Sequence, residues 1–340
     1  TFVKILGGLL VTTLFFYYIM EHNNFDLFKI FNWYCIGCLI LSIIGLIQVF
    51  SFLIGYTPGC DYSWVLNKWG LVKGGIVGIR VNSILSEPTY LATVLAPAIY
   101  VSVKNLISRT NLIFTKYQSI IILVVAILTT SSIGYLGILL AILLSTNTIR
   151  LRYVLIGSII SFTVFFIAYN NVEDFKLRVD AAKGLWLDES FDISNTNNSS
   201  FVLYNNLHIA GQNILKYPLF GTGLGSHETA FKKHTLTNSV IQYDFEFNVK
   251  DGNSLFVRLC TETGLVGLFF VLLLVIRGFI YKVNEENEEF LIHKIISQSI
   301  FILIILVLIR QGNYMLNGLP LMFLIYYYNS KIYKEKTLLN

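Results

Sequence analysis

Three stretches of this chain place charged and glycine residues at spacings that could hold a phosphorylated substrate. The first runs from Arg80 through Ser83, Ser86, Glu87 and Pro88 to Ala92. A guanidinium there has the fork geometry that grips phosphate or pyrophosphate oxygens. It could equally meet lipid headgroups. Ser86, Glu87 and Pro88 also read as a plain helix start: Ser86 as cap, Glu87 at the positive dipole end, Pro88 in the first turn.

The second stretch runs from Tyr217-Pro218 to His227 and sets Gly221, Gly223 and Gly225 at alternate positions. Such glycines accept positive φ and can aim several N–H groups at an anion, although a tight turn needs the same residues. No strand precedes them, so this is not a dinucleotide fingerprint. The third stretch is Lys250-Asp251-Gly252-Asn253-Ser254, followed by Arg258, Glu262, Gly264 and Gly267. Asn253 and Ser254 can cap a helix. Arg258 and Glu262, four residues apart, share a helix face and form either a structural ion pair or part of a site. Gly264 and Gly267 suit close helix packing. Arg310 is a further cation at a helix end. Glu87, His227, Asp251 and Glu262 are the candidate general bases.

No metal site is expected. His208, His227 and His234 are not spaced as zinc ligands, and Cys35 and Cys38 form a Cys-x-x-Cys inside an apolar run. No cofactor is implied.

The elements that carry these residues are membrane helices. Of 340 residues, 55% are hydrophobic and 13% charged, about half the charge of an ordinary soluble domain. The apolar runs are continuous, which excludes a barrel of alternating strands. The expectation is an all-α, polytopic transmembrane helical bundle, with spans near 2–20, 33–55, 84–104, 112–130, 133–149, 153–170, 255–281, 291–310 and 313–330. The polar break Thr129–Gly134 divides the fourth span from the fifth and forms a tight hairpin. The chain opens at Thr1 inside an apolar run, so further spans are expected upstream.

Basic residues at 104–116, Arg150, Arg152, Lys282, Lys294, Lys331, Lys334 and Lys336 fall on one side, the cytoplasmic one by the positive-inside rule. Residues 56–83 and the stretch 171–254 then face outwards. The latter is a large extracytoplasmic loop with a short amphipathic helix within 201–225 and a polar part at 188–200. The net charge of +5 reports loop placement and is no nucleic-acid signal.

In this order, the Arg80…Glu87-Pro88…Leu91-Ala92, Pro218-Leu219-Phe220-Gly221…Ser226 and Asn253-Ser254…Glu262-Thr263-Gly264…Gly267 stretches resemble the O-antigen polymerase and O-antigen ligase superfamily of bacterial membrane glycosyltransferases. The 129–135 turn is similar to that family's outer hairpin. The resemblance covers about residues 78–330. It implies a polysaccharide polymerase for O-antigen or capsule repeat units, at the outer face of the bacterial plasma (inner) membrane. Such an enzyme moves a growing glycan from undecaprenyl pyrophosphate onto a lipid-linked repeat unit. The implied partners are that lipid-linked oligosaccharide, membrane lipid, and chain-length regulator and flippase proteins. Arg80 and Arg258 match the pyrophosphate-holding arginines; Arg310, Gly221, Gly223, Gly225 and Asn253 complete the expected binding set.

Two departures stand out. Ligases of this family commonly carry His where this chain has Gly252, and many members carry Arg in the outer hairpin where Ser131, Ser132 and Ile133 stand here. The missing His favours a polymerase over the alternative, a ligase acting on a lipid A–core acceptor. An alternative of another class is a lipid-linked sugar flippase or transporter; the paired broken halves typical of transporters are absent from the pattern.

Overall fold

A computed structural model describes residues 2–66, 70–108, 113–145, 162–163, 166, 169–170, 173–187, 198–236, 248–281, 283 and 287–339. Among them the regular structure is helical with no strand, apart from an isolated bridge between Lys73 and Ile79. The helices are α1 (Phe2–His22), α2 (Leu27–Leu53), α3 (Thr57–Cys60), α4 (Pro88–Ser108), α5 (Lys116–Leu128), α6 (Ser132–Ser145), α7 (Glu173–Trp186), α8 (Asn198–Lys216), α9 (His227–His234), α10 (Leu255–Gly278), α11 (Glu288–Arg310) and α12 (Leu319–Leu339).

Five of these, α1, α2, α4, α10 and α11, are long and apolar enough to cross a membrane. This fits a multi-pass membrane protein. Helices α5 and α6 are apolar but have 13 and 14 residues. At about 1.5 Å per residue the described part of each is roughly 20 Å long, against a ~30 Å hydrocarbon core. The expected sixth span, 153–170, lies almost wholly outside the described residues, as do most of 188–200 and the basic residues Arg150, Arg152 and Lys282. Helix α2 begins earlier than expected because Asp26 caps it, accepting from the Lys29 N–H at 3.0 Å. The last helix begins at Leu319, later than the expected 313, after a turn at 314–318.

The chain divides into two compact units. One holds Leu6–Thr146, Val271–Arg310 and Tyr314–Asn340. Its centre is α4, which packs against α2, α5, α6 and α11 and is buried on all sides from Leu91 to Asn105. A helix apolar all round belongs in such a position. Pro97 removes one N–H donor from α4. At that level the Val94 carbonyl accepts from the Tyr34 hydroxyl at 2.6 Å and the Cys38 thiol at 3.4 Å. Cys35 and Cys38 are buried free thiols, in keeping with the packing reading of that pair.

The fourth and fifth expected spans form the α5–α6 hairpin. Thr115 and Gln118 make a reciprocal capping box at its start. The turn follows Leu128, and Thr130 adopts φ 44°. Gly134 permits close approach to α4: a Cβ there would lie 3.2 Å from the Ala92 Cβ.

The segment before α4 is held by a residue the sequence reading passed over. Gln48, buried in α2, accepts from the N–H groups of Asn82 and Ser83 at 3.2 and 3.0 Å. Its amide donates to the Asn82 side chain at 2.8 Å and the Cys60 carbonyl at 3.0 Å. Gly45, one turn earlier, lets Val81 pass, since a Cβ there would lie 3.0 Å from Val81 Cγ1. Helix α4 starts at Pro88, and the Glu87 carbonyl accepts from the Tyr90 and Leu91 N–H groups. Glu87, not Ser86, is therefore the flanking residue.

The other unit holds Thr1–Ile5, Asn147–Phe270 and Gln311–Asn313. In it α8 packs against α7 and α9, with Ile209, Ala230 and Phe231 forming a small core against Val249. The amphipathic helix expected within 201–225 is α8, which ends at Lys216, one residue before the residue preceding Pro218 must leave helical conformation.

Replacing Gln48 by Leu strands the Asn82 and Ser83 N–H groups in an apolar site. The expected loss is about 1–3 kcal/mol for each group left unpaired, read as a lower unfolding midpoint of the detergent-solubilised protein.

Candidate functional site

The second and third sequence stretches meet at a break in α10. Gly264 has φ 63° and ψ −161°, so the helix stops after Thr263 and resumes at Leu265. A break orphans carbonyls before it and N–H groups after it. The glycine stretch supplies the missing partners. The N–H groups of Thr222 and Gly223 donate to the carbonyls of Thr261 and Glu262 at 3.1 and 2.9 Å. Across the break, the N–H groups of Leu265 and Val266 donate to the carbonyls of Pro218 and Leu219 at 2.9 and 3.0 Å. Asn213 and Thr222 side chains add donors to the Thr261 carbonyl at 2.8 and 3.2 Å.

Two glycines make this joint possible. A Cβ on Gly221 would lie 2.6 Å from the Thr261 carbonyl oxygen, and one on Gly264 would lie 2.6 Å from the Gly221 nitrogen and the Leu219 oxygen. Both have positive φ. Of the two readings open for the glycine stretch, this is the turn. The N–H groups of Thr222 and Gly223 face helix carbonyls, and Gly264 both breaks its helix and allows the close approach of the Leu219–Gly221 backbone. Gly225 adopts φ 82° in the turn leading into α9.

Immediately before the break lies a buried charged cluster. Arg258 Nε donates to Glu262 Oε1 at 2.9 Å, and its Nη1 donates to the Gly312 carbonyl at 2.9 Å. Glu262 is fully buried and Arg258 nearly so. Gly312 is a required glycine, because a Cβ there would fall 1.7 Å from the Asp251 carbonyl oxygen. The ion pair is the i, i+4 arrangement read from the sequence, set in a low-dielectric place where neither charge tolerates loss of the other.

His227, the first residue of α9, is also fully buried. Its Nε2 lies 2.9 Å from Asn206 Oδ1, and its Nδ1 lies 3.3 Å from Thr261 Oγ1. The Asn206 amide nitrogen donates to the Val202 carbonyl, so its oxygen faces the ring and Nε2 carries the hydrogen of the neutral imidazole. Burial, and then the nearby Arg258 charge, lower the His227 pKa from 6.5 to about 4. A Cβ on Gly252 would lie 2.9 Å from His227 Nε2, so the imidazole packs directly against that glycine. Asn206 and Thr261 had no signal in the sequence beyond being polar residues on otherwise apolar helix faces.

Asp251 is engaged in its own turn. Its Oδ1 accepts from the Asn253 N–H at 3.0 Å and the Asn248 side chain at 3.1 Å. Asn253 sits at φ 56°, and Ser254 caps α10 by accepting from the Val257 N–H at 3.2 Å. Of the two residues proposed as caps, Ser254 has that role.

The remaining expected site residues belong to the α4-centred unit. Arg80 forks onto the end of α5: Nε donates to Thr130 Oγ1 at 3.1 Å and to the Thr129 carbonyl at 3.4 Å, and Nη2 donates to the Thr130 carbonyl at 3.3 Å. A cation on the last carbonyls of a helix is favoured by the helix dipole. Arg80 therefore has structural partners in the α5–α6 turn. Glu87 acts electrostatically on Arg310. Among the described residues no group of three or more His, Cys, Asp or Glu side chains could hold a metal.

In comparisons with known proteins, no family model and no curated protein matches the chain.

Two outcomes test this geometry. Glu262→Leu alone should destabilise the protein by about 3–5 kcal/mol by leaving Arg258 buried and unpaired, while Arg258→Met with Glu262→Leu should recover most of the loss. His227 is neutral when folded and protonates more readily when unfolded. Its contribution to stability is complete above about pH 6.5 and is lost progressively as pH falls towards about 4. Thermal unfolding across that window should flatten in His227→Gln.

Proposed function

We propose that this chain is a membrane glycosyltransferase that polymerises polysaccharide repeat units, moving a growing glycan from a lipid pyrophosphate onto the next lipid-linked unit at the outer face of a bacterial plasma membrane. The observation that carries the reading is the placement of His227. The ligases that the sequence resembles carry a His at the position of Gly252. In this chain an imidazole from a different helix stands against that glycine. That imidazole, near the Arg258 charge, is a candidate base for the acceptor hydroxyl, reached from a different element than in the ligases.

The chemistry asks little beyond this. A pyrophosphate is a good leaving group; its charge must be held, and an acceptor hydroxyl must lose a proton. Asp251 is tied into its turn and Glu262 into its ion pair, so His227 is the base candidate that is uncharged at neutral pH. An anionic donor beside Arg258 would offset the charge that helps depress the His227 pKa, moving the ring towards the range in which a base works best. Arg258 is the favoured pyrophosphate ligand, with Arg80 and Arg310 as further cations for the lipid-linked substrates. Charges this deep in a predominantly apolar chain are costly and usually functional.

Deleting the gene in its host should leave single repeat units in place of a polysaccharide ladder on a gel. A normal ladder would exclude the polymerase, and loss of all attached sugar would indicate a ligase. His227→Gln and Arg258→Lys, at normal protein levels, should each shorten the ladder to its lowest rungs. Full-length chains from both would remove this cluster from the mechanism.

A further inference from the structure

We infer, on the transferase reading of His227, that Asn206 and Thr261 are positioning residues that make the Nδ1 atom of His227 the proton acceptor of the site.

Two elements besides its own hold the ring. On α8, the Asn206 amide nitrogen is committed to the Val202 carbonyl at 2.8 Å, so Oδ1 is the atom turned to Nε2, 2.9 Å away. An amide oxygen only accepts. Nε2 therefore keeps its hydrogen, and a proton gained by the ring goes to Nδ1. On α10, Thr261 Oγ1 lies 3.3 Å from Nδ1 and donates to the Val257 carbonyl at 2.9 Å. A hydroxyl has one hydrogen and two lone pairs. Thr261 can turn that hydrogen towards a bare Nδ1, or leave it on Val257 and accept from a protonated one.

Both states of the imidazole are thereby satisfied. When neutral, Nε2–H faces Asn206 Oδ1 and Nδ1 faces a hydroxyl. When protonated, each N–H faces an oxygen. A buried polar group without a partner is costly, and neither state leaves one. A histidine kept only for packing needs partners in one state alone. The charges around the ring do not hold the proton there. Helix α10 presents Arg258, paired with Glu262, and its charge disfavours the imidazolium. The turn before α10 presents Gly252, and the neighbouring Asp251 carboxylate is engaged by Asn248 and Asn253. On α9 itself, Glu228 pairs with Lys232 at 2.7 Å. Asn206 and Thr261 are uncharged, so they receive the proton without trapping it.

In the transfer, the acceptor hydroxyl gives its proton to Nδ1 as its oxygen bonds the donor's anomeric carbon. The pyrophosphate leaves with the electron pair of the broken C–O bond. The ring then returns the proton to water.

The first test needs no substrate. Nitrogen NMR of the full chain with isotope-labelled histidine, in detergent micelles, reads the tautomer of each ring; His227 is assigned by loss of its signals in His227→Gln. Near neutral pH it should be the Nε2–H tautomer. Asn206→Leu should flip the ring to the Nδ1–H tautomer, because Thr261 Oγ1 is then the acceptor that faces it. Asn206→Asp, which keeps the side-chain shape if the Leu variant does not fold, should raise the midpoint of ring protonation by at least about one pH unit. An Nδ1–H ring in the unsubstituted chain, or a ring that neither substitution changes, overturns the inference. The second test is the polysaccharide ladder in the host. Thr261→Val keeps the side-chain volume and removes the hydroxyl. It should shorten the ladder at an unchanged protein level, and Thr261→Ser should restore it. A full-length ladder from Thr261→Val beside a short one from His227→Gln, or no recovery with Thr261→Ser, overturns the role of Thr261. Full-length chains from His227→Gln would overturn the transferase reading of the ring itself, whereas a wrong tautomer beside a short His227→Gln ladder overturns this inference alone.

Discussion

Four backbone hydrogen bonds across the break at Gly264 are the constraint on which this site depends. An interrupted apolar helix exposes carbonyls and N–H groups that each cost about 1–3 kcal/mol when buried without partners. The strand of chain from Pro218 to Gly223 answers them in register, donors to carbonyls and carbonyls to donors. Once those bonds form, Asn213 is drawn onto the Thr261 carbonyl, and the chain turns through Gly225 into α9. His227, at the head of α9, then arrives beside Thr261 and Gly252. The position of the imidazole is thus a consequence of how a helix break is repaired.

The charges follow a similar logic. Arg258 is satisfied by Glu262 within its own helix and by the Gly312 carbonyl, reached because Gly312 has no side chain to strike Asp251. The field of this guanidinium, added to burial, keeps His227 neutral. In the α4-centred unit, Arg80 closes the α5–α6 hairpin by capping its carbonyls, and Gln48 holds the approach to α4. Polar side chains in this protein repeatedly complete irregular backbone between apolar helices. That dual use explains why a motif arginine can look catalytic and structural at once.

Composition and apolar run length were enough to read helices long and apolar enough to cross a membrane, because a bilayer imposes length and polarity on each segment separately. The hairpin break at Thr129–Ser131, the ion pair of Arg258 and Glu262, and a cap at Ser254 were legible too, since each depends on neighbours within a few residues. The start of α4 at Pro88 was read one residue differently, because Ser86 and Glu87 both suit the end of a helix. The conformation within the expected loop was less accessible: the pairing of Leu219 with Val266 depends on a partner some 45 residues further on.

Local residue chemistry, then, determined which segments are helices and which polar side chains lie near their ends. Tertiary structure alone determined how those side chains are engaged. Glycines at 221 and 264 signal conformational freedom in the sequence, but freedom has no direction until two distant backbones meet. The pairing of His227 with Asn206 and its approach to Gly252 likewise require helices from separate parts of the chain, since a side chain's pKa and partners are properties of its surroundings and not of its type.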